Sequence, residues 1–123
     1  MEKIHTNNAP AAIGPYSQAI RSGNLLFISG QIPVDPATGN IDGKNIVEQT
    51  ERICKNIGEI LKASGTEFEK VIKTTCFLAD MGDFSAFNGV YEKYFVSKPA
   101  RNCVAVKALP KNVLAEIETI AEI

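Results

Sequence analysis

Two stretches of this chain carry apolar residues at helical spacing, and that limits what can cover a sheet built from the rest. Ile46, Ile53, Ile57 and Ile60, with Leu61, fall on one face of a helix. Asn45 with Glu48 three residues later matches a capping box, Asn standing in for the usual Ser or Thr, and Gly65 after Ser64 supplies the stop. In the second stretch Phe84, Phe87, Tyr91 and Tyr94 recur at spacings of three, four and three behind Asp83, a suitable cap. This aromatic stripe reads as core packing rather than a cofactor box. The second helix must end before Lys98, which Pro99 keeps out of helical space.

The remaining apolar residues read as strands. Gln18–Ile20 and Leu25–Ser29 flank Ser22-Gly23-Asn24, a hairpin signal. Val71–Leu78 alternates and is β-branched, and Lys3–His5 is a further short strand. Asn7–Pro15 is a loop, and Gly30–Gly43, with Pro33, Pro36, Gly39 and Gly43, is a long surface loop. From Pro99 the chain reads as a strand to Lys107, a turn around Pro110 and Asn112, and a returning strand from Val113 to Glu118. The order β-β-α-β-α-β-β predicts an α+β fold, one mixed sheet with two helices on it. Two helices cover one face. Yet apolar residues occupy both, Val71 and Phe77 on one against Ile72, Cys76 and Leu78 on the other, and Ile117 against Ile120. With no chain left to cover the second face, another subunit is expected to do so.

A chain of 123 residues is expected to form one domain, residues 1–123. Charged residues are 22% and the net charge is -1, so there is no electrostatic case for nucleic acid or an anionic membrane. No apolar run approaches a membrane span, and Met1–His5 does not begin a signal peptide. Cys54, Cys76 and Cys103 are odd in number and widely spaced, which points to free thiols in a reducing cytoplasm. The single histidine, His5, leaves no histidine cluster for a metal site and no well-placed base for a Ser-His or Cys-His pair. Neither of the common glycine-rich phosphate-cradling motifs is present.

The odd feature is Arg101, a full charge where a strand enters the body of the protein. A buried arginine needs a partner. Glu116 and Glu118 on the returning strand are internal candidates; the carboxylate of a ligand is the external one. Cys103, two residues on, points the same way as Arg101, whose charge favours its thiolate, although a free cysteine is more often a small buried hydrophobe. Glu116, in a poorly hydrated site, would have a raised pKa and act as acid or base; the pattern alone favours its plain reading, a salt bridge to Arg101 or a solvated strand face. Tyr16, Ser29 and Asn88 are polar residues whose roles the pattern leaves open. If the last two strands form a hairpin centred on Pro110, Cys103 opposes Ile117 and Val104 opposes Glu116. Arg101 and Glu116 then lie on opposite faces, and unless a bulge flips the parity a pocket needing both is expected to be shared between subunits.

Five segments together carry a family resemblance: Gly14–Ala19, Ile28–Pro33, Asn88–Tyr91, Pro99–Val104 and Glu116–Ala121. They resemble the Rid family, the reactive-intermediate enamine/imine deaminases, and within it the RidA (YjgF) subgroup. The resemblance spans the chain in order. It implies a chorismate-mutase-like α+β fold and a homotrimer with clefts between subunits. It implies hydrolysis of 2-aminoacrylate-type enamines and imines to 2-keto acids and ammonia, as in a 2-iminobutanoate/2-iminopropanoate deaminase. No cofactor or metal is implied. Arg101 falls on the family's carboxylate-binding arginine, Cys103 on the cysteine that meets the ligand largely through its main chain, and Glu116 on the glutamate that handles water. Tyr16, Ser29, Gly30 and Asn88 match the pocket residues. Asn102 stands where many relatives have Ser or Thr. The competing readings are a non-catalytic keto-acid-binding or regulatory trimer and a ribonuclease or translation inhibitor. Near-neutral charge and a lone histidine argue against RNA, and Glu116 beside Arg101 favours an enzyme, since a binder needs only the arginine.

Overall fold

In the computed structural model, which describes residues 1–123, the isoleucine stripe forms helix α1, Ile46–Ala63. The Asn45 side chain accepts from the Glu48 N–H at 2.9 Å, while Glu48 reaches back to the N–H of Lys44 rather than of Asn45. The box is therefore stretched by one residue. At the other end Gly65, at φ 77°, donates to the Lys62 carbonyl and Thr66 to that of Leu61, the paired bonds of a Schellman stop. Helix α2 spans Phe84–Tyr94. Asp83 makes no side-chain cap bond there; Asp80 instead accepts from Gly82 and caps a short 3-10 turn that leads into the helix. The helix ends before Lys98, which at φ 52° has left right-handed helical space.

The strands are β1 (Glu2–Ile4), β2 (Ala19–Ser22), β3 (Leu25–Gln31), β4 (Val71–Leu78), β5 (Ala100–Ala105) and β6 (Ala115–Glu122). They form one mixed sheet in the order β1-β2-β3-β6-β4-β5. Strands β2 and β3 are the expected hairpin, closed by Gly23-Asn24 with Gly23 at φ 62°. Strand β3 runs two residues beyond Ser29, and Pro33 and Val34 are buried, so the segment after it is not wholly a surface loop.

The hairpin expected of the last two strands does not form. Strand β5 lies at the sheet edge, parallel to β4, and β6 inserts between β3 and β4, antiparallel to both. The turn at Pro110 carries the chain across β4. Cys103 and Ile117 nevertheless both lie opposite Cys76, and Val104 and Glu116 both lie opposite Phe77. The parity expected from the hairpin therefore survives through a shared middle strand.

Both helices lie on one face. That face presents Thr74, Cys76 and Leu78 from β4 and Ala115, Ile117, Thr119 and Ala121 from β6, all buried. A bulge at Ile72 shifts Val71 onto this face too, beside Cys76 rather than Phe77 as the simple alternation had placed it. The other face has no covering layer. Phe27 and Val104 are exposed on it, with Ile20, Phe77 and Ile120 half-buried beside them. No helix is long and apolar enough to cross a membrane.

Candidate functional site

The candidate residues fall into two groups on opposite faces of the sheet. On the helix side of β5, Arg101 donates from one terminal guanidinium nitrogen to the Asn88 side-chain carbonyl of α2 at 2.7 Å. Its guanidinium carbon lies 4.8 Å from the centre of the Tyr91 ring and 5.5 Å from that of Phe84, within cation–π range of both. Tyr91 is fixed in turn by a 2.6 Å hydrogen bond between its hydroxyl and that of Thr74, the residue paired with Arg101 across the strands. Burial pushes the Tyr91 phenol up to about 12, so it stays protonated. The aromatic stripe of α2 thus does more than fill the core: its outer edge cradles the arginine.

No carboxylate pairs with Arg101. The ion pairs of the chain are Arg52–Asp42 and Lys93–Glu51. The internal salt bridge to Glu116 or Glu118 is therefore absent, since both glutamates project from the other face. One of the five guanidinium N–H donors is committed to Asn88, and Arg101 borders a cavity of about 620 Å3 that Asn88, Tyr91, Glu92, Phe95 and Lys98 also line.

Cys103 is half-buried on the same side of β5, against the core. Burial raises its thiol pKa and Arg101 offsets only part of that, so the thiolate promotion expected from the arginine does not prevail. Its cross-strand neighbour Cys76 is pushed up to about 12, chiefly by burial. Neither is poised as a nucleophile.

The second group gathers around Glu116. Tyr16, Ser29, Gly30, Ile32 and Pro110 join it around a cleft of about 310 Å3. A bulge between Ile28 and Gln31 inserts one extra residue opposite β6. There the Gly30 backbone lies directly against the Glu116 carboxylate, and any Cβ on residue 30 would collide with it. Partial burial, and secondarily the charge of Glu118, hold the Glu116 carboxyl above its ordinary 4.5. The Ser29 hydroxyl donates to the Ser17 carbonyl at 2.6 Å, joining strand to loop.

Sequence reasoning gave Gln18 no separate role. This buried side chain donates to the carbonyls of Thr6, Ala9 and Pro10 and accepts from the Thr6 N–H. It fixes the loop that carries Tyr16. A glutamine beside an apolar run was the available signal. Backbone strain appears across the cleft: Lys111 and Asn112, consecutive non-glycine residues next to Pro110, sit at φ 56° and 55°. No three His, Cys, Asp or Glu side chains come together as a metal-binding group.

Comparison with known proteins decides the family. Residues 6–123 match the family model described as Endoribonuclease L-PSP. The chain is 56% identical over 121 residues to a RutC family protein of Pyrococcus horikoshii, covering 98% of this chain and 96% of that one. It is 50% identical over 119 residues to the 2-iminobutanoate/2-iminopropanoate deaminase of Mus musculus, covering 96% and 88%. This chain belongs to the RutC/Rid family. Among Rid structures, E. coli TdcF with bound serine superposes with a TM-score of 0.95 at 41% identity, covering 100% of this chain and 99% of that one. The Rid sheet with two helices is thus the fold expected from the sequence.

Proposed function

We propose that this Rid protein hydrolyses 2-imino acids and their enamine tautomers, of the 2-aminoacrylate type, to 2-keto acids and ammonia, in clefts between the subunits of a homotrimer. The observation that carries the reading is the separation of Arg101 and Glu116. One chain presents an arginine fork that no carboxylate pairs with on one face, and a carboxylate with raised pKa on the other. A substrate needing both is satisfied where Arg101 of one subunit meets Glu116 of the next, and the uncovered apolar sheet face provides the surface for that contact. The names of relatives, a deaminase and a protein crystallised with serine, are consistent with a small amino-acid-derived ligand.

The chemistry follows from the groups. The substrate carboxylate takes a bidentate pair of hydrogen bonds from Arg101, held in plane by Asn88 and Tyr91. Ionised Glu116 accepts a proton from water as the water oxygen bonds to the imine carbon and the C=N π electrons move to nitrogen. The proton is passed to nitrogen, giving a carbinolamine; a second proton, from its hydroxyl, is then relayed to nitrogen as the C–N bond breaks, so that the carbonyl forms and ammonia leaves. The imine carbon is already electrophilic, so neither the Cys103 thiol nor a histidine has a step to perform. The Gly30 bulge and Tyr16 hold the water side of the cleft. We place the reaction in the cytoplasm, where three unpaired thiols persist.

The test is ammonia release from freshly generated 2-aminoacrylate and 2-iminobutanoate. Arg101→Ala and Glu116→Ala proteins should each be inactive alone and regain activity when mixed under subunit exchange. No turnover by the unmutated protein refutes the deaminase reading. No recovery despite demonstrated exchange refutes the shared cleft.

A further inference from the structure

A second hollow, of about 220 Å3, adjoins the Glu116 cleft, and Tyr16 and Ile32 wall both. Pro10, Ala11, Ile13, Val34 and Pro36 complete its apolar lining. At ~30 Å3 per molecule it has room for about seven waters, and its apolar walls offer them few partners. Ile13, 77% exposed, leaves its side chain to solvent. The lining is braced rather than loose. Gln18 fixes the loop on one side through the Pro10 carbonyl at 2.8 Å. On the other side the buried Asn56 side chain donates to the Val34 carbonyl at 2.9 Å, and Val34 bridges to Ile41. A preformed apolar hollow beside a reacting centre suits an apolar group of the reactant.

We infer that this hollow receives the side chain of the imino acid, so that leucine-sized aliphatic imines are better substrates than those derived from alanine or serine. The inference rests on the deaminase reading and narrows its substrate class. With the carboxylate held by Arg101 and the imine carbon over Glu116, the side chain is the remaining apolar group of the substrate, and the adjoining hollow is where apolar surface awaits cover.

The experiment generates imines in place with an L-amino-acid oxidase, from leucine and from alanine, and follows their loss with and without the protein. The kcat/KM ratio of leucine-derived to alanine-derived imine is expected to be roughly ten or more, since single methylenes in apolar pockets discriminate about 10–200-fold. Ile13→Asp, which places a charge in the lining, should drive the ratio toward one. Ala11→Phe, which fills the hollow, should do the same, and both positions are exposed enough for the fold to persist, as circular dichroism will register. A ratio near one in the unmutated protein, or a ratio that both variants leave unchanged, overturns the inference while the deaminase reading stands. Turnover of neither imine removes both. Loss of the preference only in variants that no longer assemble assigns the hollow to the subunit contact and also overturns it.

Discussion

Gly30→Ala separates catalysis from stability at a single atom. The Gly30 backbone lies outside the left-handed region, so alanine is permitted there, and replacing glycine at a compatible site stabilises by about 0.4–1 kcal/mol through the unfolded chain. The added Cβ, however, would stand 2.9 Å from Cδ and 3.2 Å from Cγ of Glu116, and closer still to Oε2. Ordinary contact begins at 3.4 Å, so Cδ must withdraw by at least the difference between 3.4 and 2.9 Å, and the carboxylate oxygen by more. The obstruction is the flexible end of a side chain, so the carboxylate swings aside while the backbone holds. A displacement near 1 Å at a positioned catalytic group costs about 100-fold. The expected result is a fall in kcat of roughly 10- to 100-fold, with thermal unfolding within about 1 kcal/mol of the unmutated protein. Imine loss measured spectrophotometrically, beside thermal melts, gives both numbers. A folded variant with full kcat would show that the seat of Glu116 on Gly30 has no part in catalysis.

Five further outcomes are expected. Arg101→Ala and Arg101→Lys should both lower kcat/KM by orders of magnitude in folded proteins, because charge-assisted bonds are worth about 1.5–3 kcal/mol each and lysine lacks the fork; near-normal turnover by either would remove Arg101 from the site. Glu118→Gln should lower the Glu116 pKa and move the acidic limb of the rate profile to lower pH, since the ionised base is the active form; an unmoved limb would show that Glu118 does not tune it. The raised pKa also means that native Glu116 keeps its proton where the unfolded chain has lost it, so its contribution to stability declines as pH rises from 4.5 through the native value. Glu116→Gln should accordingly flatten stability over that range while abolishing activity, which denaturant titrations at several pH values will check. Cys103→Ser should keep substantial activity, and a covalent adduct on Cys103 during turnover, seen by mass spectrometry, would contradict that. Light scattering at low micromolar concentration should report three subunits, and a stable, active monomer would end the shared-cleft proposal.

What was legible in the sequence follows how far apart the deciding residues are. Helix α1 is specified locally, by Asn45, the isoleucine stripe and Gly65, and was read within a residue or two. Asp83 does stand at the N-cap of α2 but makes no side-chain cap bond, because the chain enters through a 3-10 turn that Asp80 caps and that does not interrupt the aromatic stripe. Strand pairing is not local: β5 and β6 look like a hairpin around Pro110, and only packing against β4 separates them. The division of Arg101 and Glu116 between two faces was nonetheless reached, because parity carries across every strand in register with Cys76. The bulges at Ile72 and at Ser29-Gly30 reverse parity within a strand and leave no mark in alternation, so the grouping of Val71 with Phe77 failed and the contact between Gly30 and Glu116 was invisible. The same parity sets Glu116 and Glu118 together on the face away from Arg101, which is why neither pairs with it.

The central position of β6 bears on how the chain reaches its folded form. Synthesis delivers β1–β3 with α1, then β4, α2 and β5, before β6 appears, and until then the two halves share no sheet hydrogen bonds. The open edges of β3 and β4 stand apart, each a template for mispairing with another chain. Insertion of Ala115–Glu122 closes both edges in one step and places Glu116 against Gly30 in the same movement. The ladder that completes the sheet therefore also completes the water side of the cleft, and a nascent chain halted short of it would hold its arginine cradle with no acid to face a neighbour.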